Sequence, residues 1–519
     1  MRTRLQFGAL TLVVAAVVVG TAGGSTRSDI REGGIFRVAM YGLDYIDPAL
    51  AYTLSGWSIL DTTCARLMAY PDKPVPEGLR LVPEVAAGFP AISRNGKTHT
   101  FTLRSGFRFS DGTPASVRLI ARAKALARRC RRRPVRQDAD GYRCHGAWEH
   151  ARRPVHTPRR ELPGDDDDAV LLCRPAVAAP GPRGPRCDPV RRPVRRHGVP
   201  ARRAGDGPPE SLLPRTRPHH VDGFDVDLRP SGPGEVLDRV ERSEVDWGAV
   251  NAPTYFEPGR NLAAKFGVDK SRFFVRPGLV LRFAVFNTSR PLFRDNAPLR
   301  RAVNLALDRR QLARVAFASR LAYRLTDQYL PPTLPGFTDA NIYPLQRANL
   351  ARARAVARGN LRGGKAVLYV ADAPSRSRRR KAVKQQLAAI GLDVELKPFP
   401  PGALFGRVVL PGEPWDLFLS LWAPDFVDPF QCLNLLFDGQ YAGVANLGRF
   451  NSPVHNARMR RAGRIQGARR YEAYGAVDVQ LARNAAPAAA LNFLNEATLV
   501  SKRVGCIVLR RRSTSRLLA

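Results

Sequence analysis

The sequence contains none of the residue patterns that would indicate a catalytic centre. It has no G-x-S-x-G motif of a serine nucleophile and no H-E-x-x-H motif of a zinc protease. Outside residues 117–217, no cysteine lies close to a histidine along the chain, so no nucleophile with an adjacent base is predicted. The sequence therefore predicts a protein that is not an enzyme and needs no cofactor.

Cysteine is too scarce and too irregularly spaced for a zinc site or a disulfide framework. The four cysteines within residues 117–217 match no zinc-ligand spacing, and the remaining three lie far apart in the chain. The acidic run Asp165–Asp168 lacks the alternating ligands and the glycine of an EF-hand loop. No metal is predicted and no disulfide is assigned. The seven cysteines are Cys64, Cys130, Cys144, Cys173, Cys187, Cys432 and Cys506.

Acidic residues are few, with 45 Asp and Glu against 83 Lys and Arg, which gives a net charge of +38. Such a charge points towards nucleic acid or an anionic surface. The arginines are scattered, however, and no nucleic-acid motif or platform of alternating aromatic and basic residues is present. We therefore predict no nucleic-acid partner, and an arginine-rich nucleic-acid-binding protein stays as the alternative function from another class.

The N-terminal apolar run is too short for a membrane-spanning helix, which needs roughly 20 residues. Arg2 and Arg4 precede an apolar stretch from Phe7 to Val19, and small residues follow it. This order is typical of a signal peptide over residues 1–25 and predicts an exported protein, periplasmic or associated with the cell envelope. An uncleaved anchor remains the alternative.

A length of 519 residues indicates two or three domains, and the most ordered stretch lies at residues 279–317. Leu279 to Phe286 alternates as a strand with apolar residues on both faces, which indicates burial inside a layered sheet. Asp295-Asn296 is typical of a helix cap, with Pro298 in the first turn.

This stretch resembles the bacterial extracellular solute-binding proteins of family 5, the peptide receptors of ABC importers. The run VFNTSRPLFRDNAPLRRAVNLALDRRQL is similar to the family pattern that opens the second lobe. The resemblance implies an α/β, two-lobed periplasmic-binding-protein type II architecture with an additional small domain, disrupted here. It implies a peptide or other small solute as ligand, bound by hinge closure, and permease subunits of an ABC transporter as partners.

Other segments continue the resemblance. Residues 83–114 are similar to the family's small-domain hairpin, with a tight turn at Asn95-Gly96. Residues 365–397 alternate as strand, helix and strand, which predicts a parallel sheet whose strand ends form a crevice. The helix of this unit is predicted to end at Gly391. Near the N-terminus, a first helix is predicted from Ser55 to Ala69.

The candidate binding residues follow from the resemblance. The run PWDLFLSLWAPDFVDPFQCLNLLFDG is similar to the family's W-x-A-D-Y-x-D-P-x-x-F-L-x-x-L-F motif, in which the tryptophan lies beside the bound peptide and the aspartate can meet the ligand's free amine. In the structural alternative, Asp425 caps the following turn and Asp428-Pro429 simply starts a helix. Two loops that border the cleft carry the further candidates Asp47 and Asn251. The alternatives are that Asp47 only starts a turn and that Asn251 is a plain loop amide. The predicted ligand-binding residues are Trp422, Ala423, Asp425, Asn251 and Asp47.

The pattern stops between residues 117 and about 217, where arginine and proline dominate and only Tyr142 and Trp148 are aromatic. Such a composition predicts a disordered or poorly packed segment. The composition of this segment also resembles that of a GC-rich gene translated out of frame. In that case the chain would be a non-functional, frame-disrupted receptor. The alternative is a real insertion. The chain after Cys506 is arginine-rich in the same way.

The sequence divides into seven predicted segments. These are the signal peptide at 1–25, the first segment of lobe I at 30–75, the small-domain hairpin at 76–116, the anomalous segment at 117–217, the second segment of lobe I at 218–272, lobe II at 273–487, and the return to lobe I with the aberrant tail at 488–519.

Overall fold

The computed structural model describes residues 33–42, 54–71, 73, 78, 80–95, 98–107, 137–138, 141–142, 221–372 and 377–505. The predicted signal peptide, Asp47, almost all of residues 117–217 and the tail from Cys506 lie outside the described residues.

The helices and strands are named in chain order. They are β1 (Ile35–Met40), α1 (Leu54–Thr63), β2 (Met68–Ala69), β3 (Val82–Pro83), β4 (Ala91–Ile92), β5 (His99–Thr100), β6 (Gln137–Asp138), β7 (Gly141–Tyr142), β8 (Gly223–Asp227), α2 (Pro233–Glu241), β9 (Trp247–Ala249), α3 (Leu262–Phe266), β10 (Phe273–Phe286), α4 (Ala297–Ala306), α5 (Arg309–Arg314), β11 (Tyr323–Leu325), α6 (Leu350–Ala357), β12 (Lys365–Ala371), α7 (Ser377–Ala388), β13 (Asp393–Phe399), α8 (Pro401–Val408), β14 (Leu417–Trp422), α9 (Pro429–Phe437), α10 (Pro453–Arg464), α11 (Ala468–Gln480) and β15 (Ala488–Leu499).

Three parallel strands in the order β8-β1-β9 form the sheet of the first lobe. Helix α2 packs against this sheet through its apolar face, which includes Val236 and Val240. Gly248 of β9 allows this close approach, since a Cβ atom there would lie 2.2 Å from Val236 Cγ1. A side chain at position 248 would therefore push the helix away from the sheet.

Six strands in the order β11-β15-β10-β14-β12-β13 form the sheet of the second lobe. β12 runs parallel to both β13 and β14, which confirms the predicted strand–helix–strand unit. The helix of that unit ends as predicted: Gly391 has φ +92°, and Leu392 N–H donates to Leu387 O at 3.2 Å.

Strand β10 lies between the two apolar layers of the second lobe, as its sequence predicts. Leu281, Phe283 and Val285 pack in one buried cluster, and Ala284 and Phe286 pack in the cluster on the other face. The helix that follows is capped as predicted: the Asn296 side chain accepts a hydrogen bond from Leu299 N–H at 3.2 Å.

The antiparallel pair β10–β15 connects the two lobes. At one end of the pair Val285 lies opposite Ala488 inside the six-stranded sheet, and at the other end Phe273 lies opposite Leu499. Phe273 and Leu499 are buried with α2, in the first lobe. The next residue after β15, Val500, forms a bridge with Trp247 of β9. The fold is thus two α/β lobes joined by two long strands.

The prediction for the first helix is wrong at its C-terminal end. Helix α1 ends at Thr63 rather than Ala69, because the following residues pair with a distant segment: Arg66 N–H donates to Glu84 Oε2, and Val85 N–H donates to Arg66 O. Non-local pairing of this kind is invisible to helical periodicity.

The structure also shows Cys64 in a disulfide, and Cys432 as a buried free thiol.

Among the described residues, no helix is long and apolar enough to cross a membrane. In the same stretches of the chain, no group of three or more His, Cys, Asp or Glu side chains could hold a metal ion.

Asp478 of α11 is fully buried, and its carboxylate holds the segment after β11. It accepts hydrogen bonds from Tyr329 N–H at 2.9 Å and Gln328 Nε2 at 3.0 Å. Burial raises the pKa of Asp478 from 3.8 to about 7, although these hydrogen bonds act in the opposite direction.

We expect the stability of the parent protein to fall as the pH rises from about 4 to about 7. In this window the folded state binds a proton that the unfolded state has lost, so the stabilisation is complete below the unfolded pKa and lost through the folded pKa. The slope from this one group is about 1.4 kcal/mol per pH unit. Urea midpoints measured across the window check it, with Asp478→Asn as comparison. Equal slopes in the two proteins would contradict the assignment.

Candidate functional site

The second-lobe sheet opens between two neighbouring strands, β12 and β14. β14 pairs with β10 along its whole length, from Leu417 to Trp422, but it pairs with β12 only at Leu417 and Phe418. β12 meanwhile continues beside β13 as far as Ala371. Residues 419–422 therefore present an unpaired strand edge among the described residues. Crevices at the carboxyl ends of such parallel strands are where ligands bind in α/β sheets.

Trp422 is the last residue of β14 and lies at this opening. It is directly opposite Leu281 of β10, and its half-buried ring packs against the apolar cluster on that face. The indole N–H of Trp422 has no hydrogen-bond acceptor within the described stretches of the chain. The indole nitrogen itself is buried, so what the residue presents beside the open strand edge is its partly exposed ring.

Asp425 follows on a short loop, with Ala423 half-buried before it. The Asp425 N–H donates to Gln431 Oε1 at 3.3 Å, and Gln431 is buried in α9. Helix α9 therefore anchors the loop, while the Asp425 side chain lies on the exposed side.

Asp428, three residues after Asp425, stabilises the start of α9. Its carboxylate accepts a hydrogen bond from Phe430 N–H at 2.8 Å, which caps α9, and it also pairs with Arg470 at 2.6 Å. The helix start predicted at Asp428-Pro429 is confirmed.

Asn251 lies in the first lobe, on the loop after β9. Its side-chain oxygen accepts a hydrogen bond from Thr254 Oγ1 at 3.1 Å, and the residue is exposed. The antiparallel bridge between Trp247 and Val500 means that β9 runs opposite to β15, back towards the second lobe. The loop that carries Asn251 therefore leaves its sheet on the side of the second lobe.

The structure thus brings Trp422, Ala423 and Asp425 together on one segment and places Asn251 on the other lobe. Asp47 lies outside the described residues. The ligand-contact roles of these residues stay predictions.

A separate pocket of about 640 Å³ lies between α2 and α3 of the first lobe. Both basic side chains that line it are paired with acidic ones: Arg260 contacts Asp238 at 2.8 Å, and Lys265 contacts Glu241. Because both of its basic side chains are already paired, the pocket offers no free cation to a ligand, and we do not treat it as the binding site.

Two α/β lobes joined by a pair of long strands are the architecture of the two-lobed periplasmic binding proteins. Residues 219–443 match the family model "Bacterial extracellular solute-binding proteins, family 5 Middle". The match confirms the family resemblance seen in the sequence, and this family acts outside the cytoplasm as extracellular or periplasmic solute-binding proteins.

Solved structures share this fold. Clavulanic acid biosynthesis oligopeptide binding protein 2 is 23% identical, with a TM-score of 0.70, and the match covers 91% of this chain and 92% of that one. DppA from Helicobacter pylori in complex with peptide STSA is 16% identical, with a TM-score of 0.61 and coverages of 94% and 97%. AppA from Bacillus subtilis in complex with a nonapeptide is 14% identical, with a TM-score of 0.58 and coverages of 93% and 97%. A search of curated protein sequences gave no match.

Proposed function

We propose that this chain is the substrate-binding component of an ABC importer and binds a peptide between its two lobes. The observation that carries the proposal is the unpaired edge of residues 419–422, which ends at Trp422 and is followed by the exposed Asp425.

An unpaired strand edge binds an extended peptide through main-chain hydrogen bonds, which depend little on the peptide's sequence. Trp422 would stack on the peptide through its partly exposed ring. Asp425 would accept a charge-assisted hydrogen bond from the ligand's ammonium group. Ala423 leaves room for the peptide main chain, and Asn251 and Asp47 would contact the ligand from the first lobe.

Closure of the lobes requires a deformable connection, and we infer that it lies in β10, beside the site. The register of β10 against β15 shifts between Pro277 and Leu281. Within this irregular stretch Gly278 approaches the partner strand so closely that a Cβ atom would lie 2.4 Å from Leu494 O. Because Leu281 is opposite Trp422, the proposed hinge adjoins the proposed site.

Two of the neighbouring structures are described as peptide complexes, which supports a peptide ligand for this chain. In this proposal the chain is exported, catalyses no reaction and delivers its ligand to the permease subunits of an ABC transporter. Lobe I would comprise residues 30–75 and 218–272, and lobe II residues 273–487, with the small-domain hairpin at 76–116 and the return to lobe I after 488.

We expect mixed short peptides to raise the melting temperature of the purified chain. A ligand at one hundred times its dissociation constant stabilises the folded state by about 2.7 kcal/mol. Differential scanning fluorimetry measures this shift, and mass spectrometry of the recovered peptides tests for hydrolysis, which we expect to be absent. Stabilisation by DNA or RNA that is lost with added salt, with no effect of peptides, would favour the nucleic-acid alternative instead.

A further inference from the structure

Helices α6 and α7 lie side by side over one face of the second-lobe sheet, and both pack apolar side chains into the same buried cluster. The Arg354 side chain of α6 donates to the main-chain oxygen of Ala389, just after α7, at 2.8 Å. The segment that follows α6 is held to the same layer, because the Arg362 side chain donates to the main-chain oxygen of Arg294. The two helices and this segment therefore share one solvent-facing surface.

This surface is basic because neither helix contains an acidic residue. Their sequences are LARARAVA and SRRRKAVKQQLA, and the segment that joins α6 to β12 is also free of Asp and Glu. The exposed basic residues of the two helices and of that segment define what we call the basic face. They are Arg352, Arg354, Arg358, Arg362, Arg378, Lys381 and Lys384.

The charges of the basic face are not neutralised within the part of the chain that the structure describes. None of its residues forms an ion pair there, and Arg354 and Arg362 donate only to main-chain oxygens. Two exposed carboxylates border the face. Asp372 pairs with Arg380 at 3.3 Å, outside the face, and Asp295 lies next to Arg294 without pairing with Arg362. The positive charge is therefore open to partners from outside the chain.

The first lobe has the opposite arrangement, so the basic face is more than a consequence of an arginine-rich chain. Helix α2 carries three acidic residues, Glu235, Asp238 and Glu241. Acidic side chains pair with most of the basic residues in and around this helix. The paired residues are Arg229, Arg239, Arg242, Arg260 and Lys265.

The helices on the other face of the second-lobe sheet, α10 and α11, are also rich in arginine, but part of their charge is neutralised. Arg460 pairs with the buried Asp438 at 2.8 Å, and Arg470 pairs with Asp428 at 2.6 Å. The basic face differs from both regions because its own helices supply no acidic partner.

We propose that the basic face docks the chain onto an anionic membrane surface. The phosphate groups of anionic lipids accept two-pronged hydrogen bonds from arginine, and an anionic surface attracts basic residues within a Debye length of about 10 Å at 0.1 M salt. A face spread over two helices and a connecting segment matches an extended surface better than a small ligand. This inference goes beyond the proposed function and does not depend on which ligand the cleft binds.

A membrane fits this face better than a nucleic acid does. Neither helix contains an aromatic residue on which a base could stack. The family acts outside the cytoplasm, where the chain meets the outer surface of a membrane. A chain held at that surface would stay close to the permease subunits to which it delivers its ligand.

The test measures partition of the full chain onto lipid vesicles by flotation, at low and at high salt. One kind of vesicle contains only phosphatidylcholine, and the other contains a mixture of phosphatidylcholine and phosphatidylglycerol. The neutral vesicles account for any attachment through the apolar N-terminal segment.

Two variants with the same change of charge are compared with the parent. The face variant combines Arg352→Gln, Arg358→Gln and Lys384→Gln. The control variant removes three exposed charges from α10 and α11, on the other face of the same sheet, by Arg461→Gln, Arg464→Gln and Arg469→Gln.

We expect the parent to bind the anionic vesicles at least about tenfold more tightly than the neutral ones at low salt, and to lose that preference at high salt. Each lysine or arginine beside an anionic surface contributes roughly fivefold in affinity, so the face variant should bind anionic vesicles at least about tenfold more weakly than the parent. The control should lose less than about threefold, since its charges lie on the far side of the docked chain.

Equal binding of both kinds of vesicle by the parent would overturn the proposal. Equal losses in the two variants would do so too, because the attraction would then come from the net charge of the whole chain. Tighter binding to a mixed-sequence DNA duplex than to anionic vesicles, weakened in the face variant, would assign the face to nucleic acid instead.

Urea midpoints of the variants report their folding. If the face variant does not fold, Arg352→Gln alone should still weaken binding to anionic vesicles by about fivefold. Thermal shift with short peptides is measured on the same proteins and should be the same in all of them, so failure of the membrane proposal leaves the proposed function standing.

Discussion

Asp425→Ala is expected to weaken peptide binding by about 2–5 kcal/mol, which is a loss of about thirtyfold to several thousandfold in affinity. The expected loss is large because removal of the carboxylate leaves a ligand ammonium group unpaired once the cleft has closed around it. The fold should tolerate the change, since the side chain is exposed and the loop is anchored through its main chain to Gln431. Calorimetric titration with short peptides measures the effect.

Asp393→Ala serves as the matched control for this prediction. Asp393 is an exposed carboxylate at the start of β13, at the opposite end of the parallel strands from the site. We expect the control to bind peptides as the parent does, and Asp425→Asn to lose most of the affinity because it lacks the charge. If Asp425→Ala and the parent bind equally, Asp425 has no role in ligand binding.

Arg309→Ala is expected to destabilise the second lobe by about 3–5 kcal/mol. Arg309 is 1% exposed and donates hydrogen bonds to Thr326 O at 3.0 Å, Ala490 O at 2.8 Å and Asn304 O at 2.9 Å. Burial lowers the pKa of Arg309 to about 10, so the side chain keeps its charge at neutral pH. Truncation would leave three buried carbonyls without donors and open a cavity between α5 and β15.

Urea denaturation checks this prediction, with Arg314→Ala as the control on the same helix. Arg314 is exposed, so its removal should change the free energy of unfolding by less than about 0.5 kcal/mol. A loss of similar size in both variants would mean that Arg309 does not hold α5 to the sheet.

The hypothesis of a shifted reading frame between residues 117 and 217 stays a prediction. The chain on either side of this segment meets in one sheet, since β1 and β8 pair from Ile35–Gly223 onwards. The alternative frames of the coding DNA are the direct test. The absence of any frame with strand and helix periodicity joining Pro114 to His219 would show that the segment is real protein.

The sequence determined those helices and strands that depend only on neighbouring residues along the chain. The two-sided apolar alternation of β10, the Asn296 cap of α4 and the glycine end of α7 at Gly391 all appear where their residues predict them. The strand–helix–strand unit of β12, α7 and β13 is equally readable, because its helical and strand periodicities follow each other within about 35 residues.

Tertiary structure decided whatever depends on pairing between distant residues. The end of α1 at Thr63 follows from pairing with residues 82–86, and the open edge of β14 exists because β12 diverges from it after Phe418. No periodicity in the sequence shows that the cross-strand neighbour of Arg282 is Asn492, whose side-chain nitrogen has no partner among the described residues. Sequence patterns record which face of a strand a residue occupies, whereas register between strands is set by contacts made only after the chain has folded.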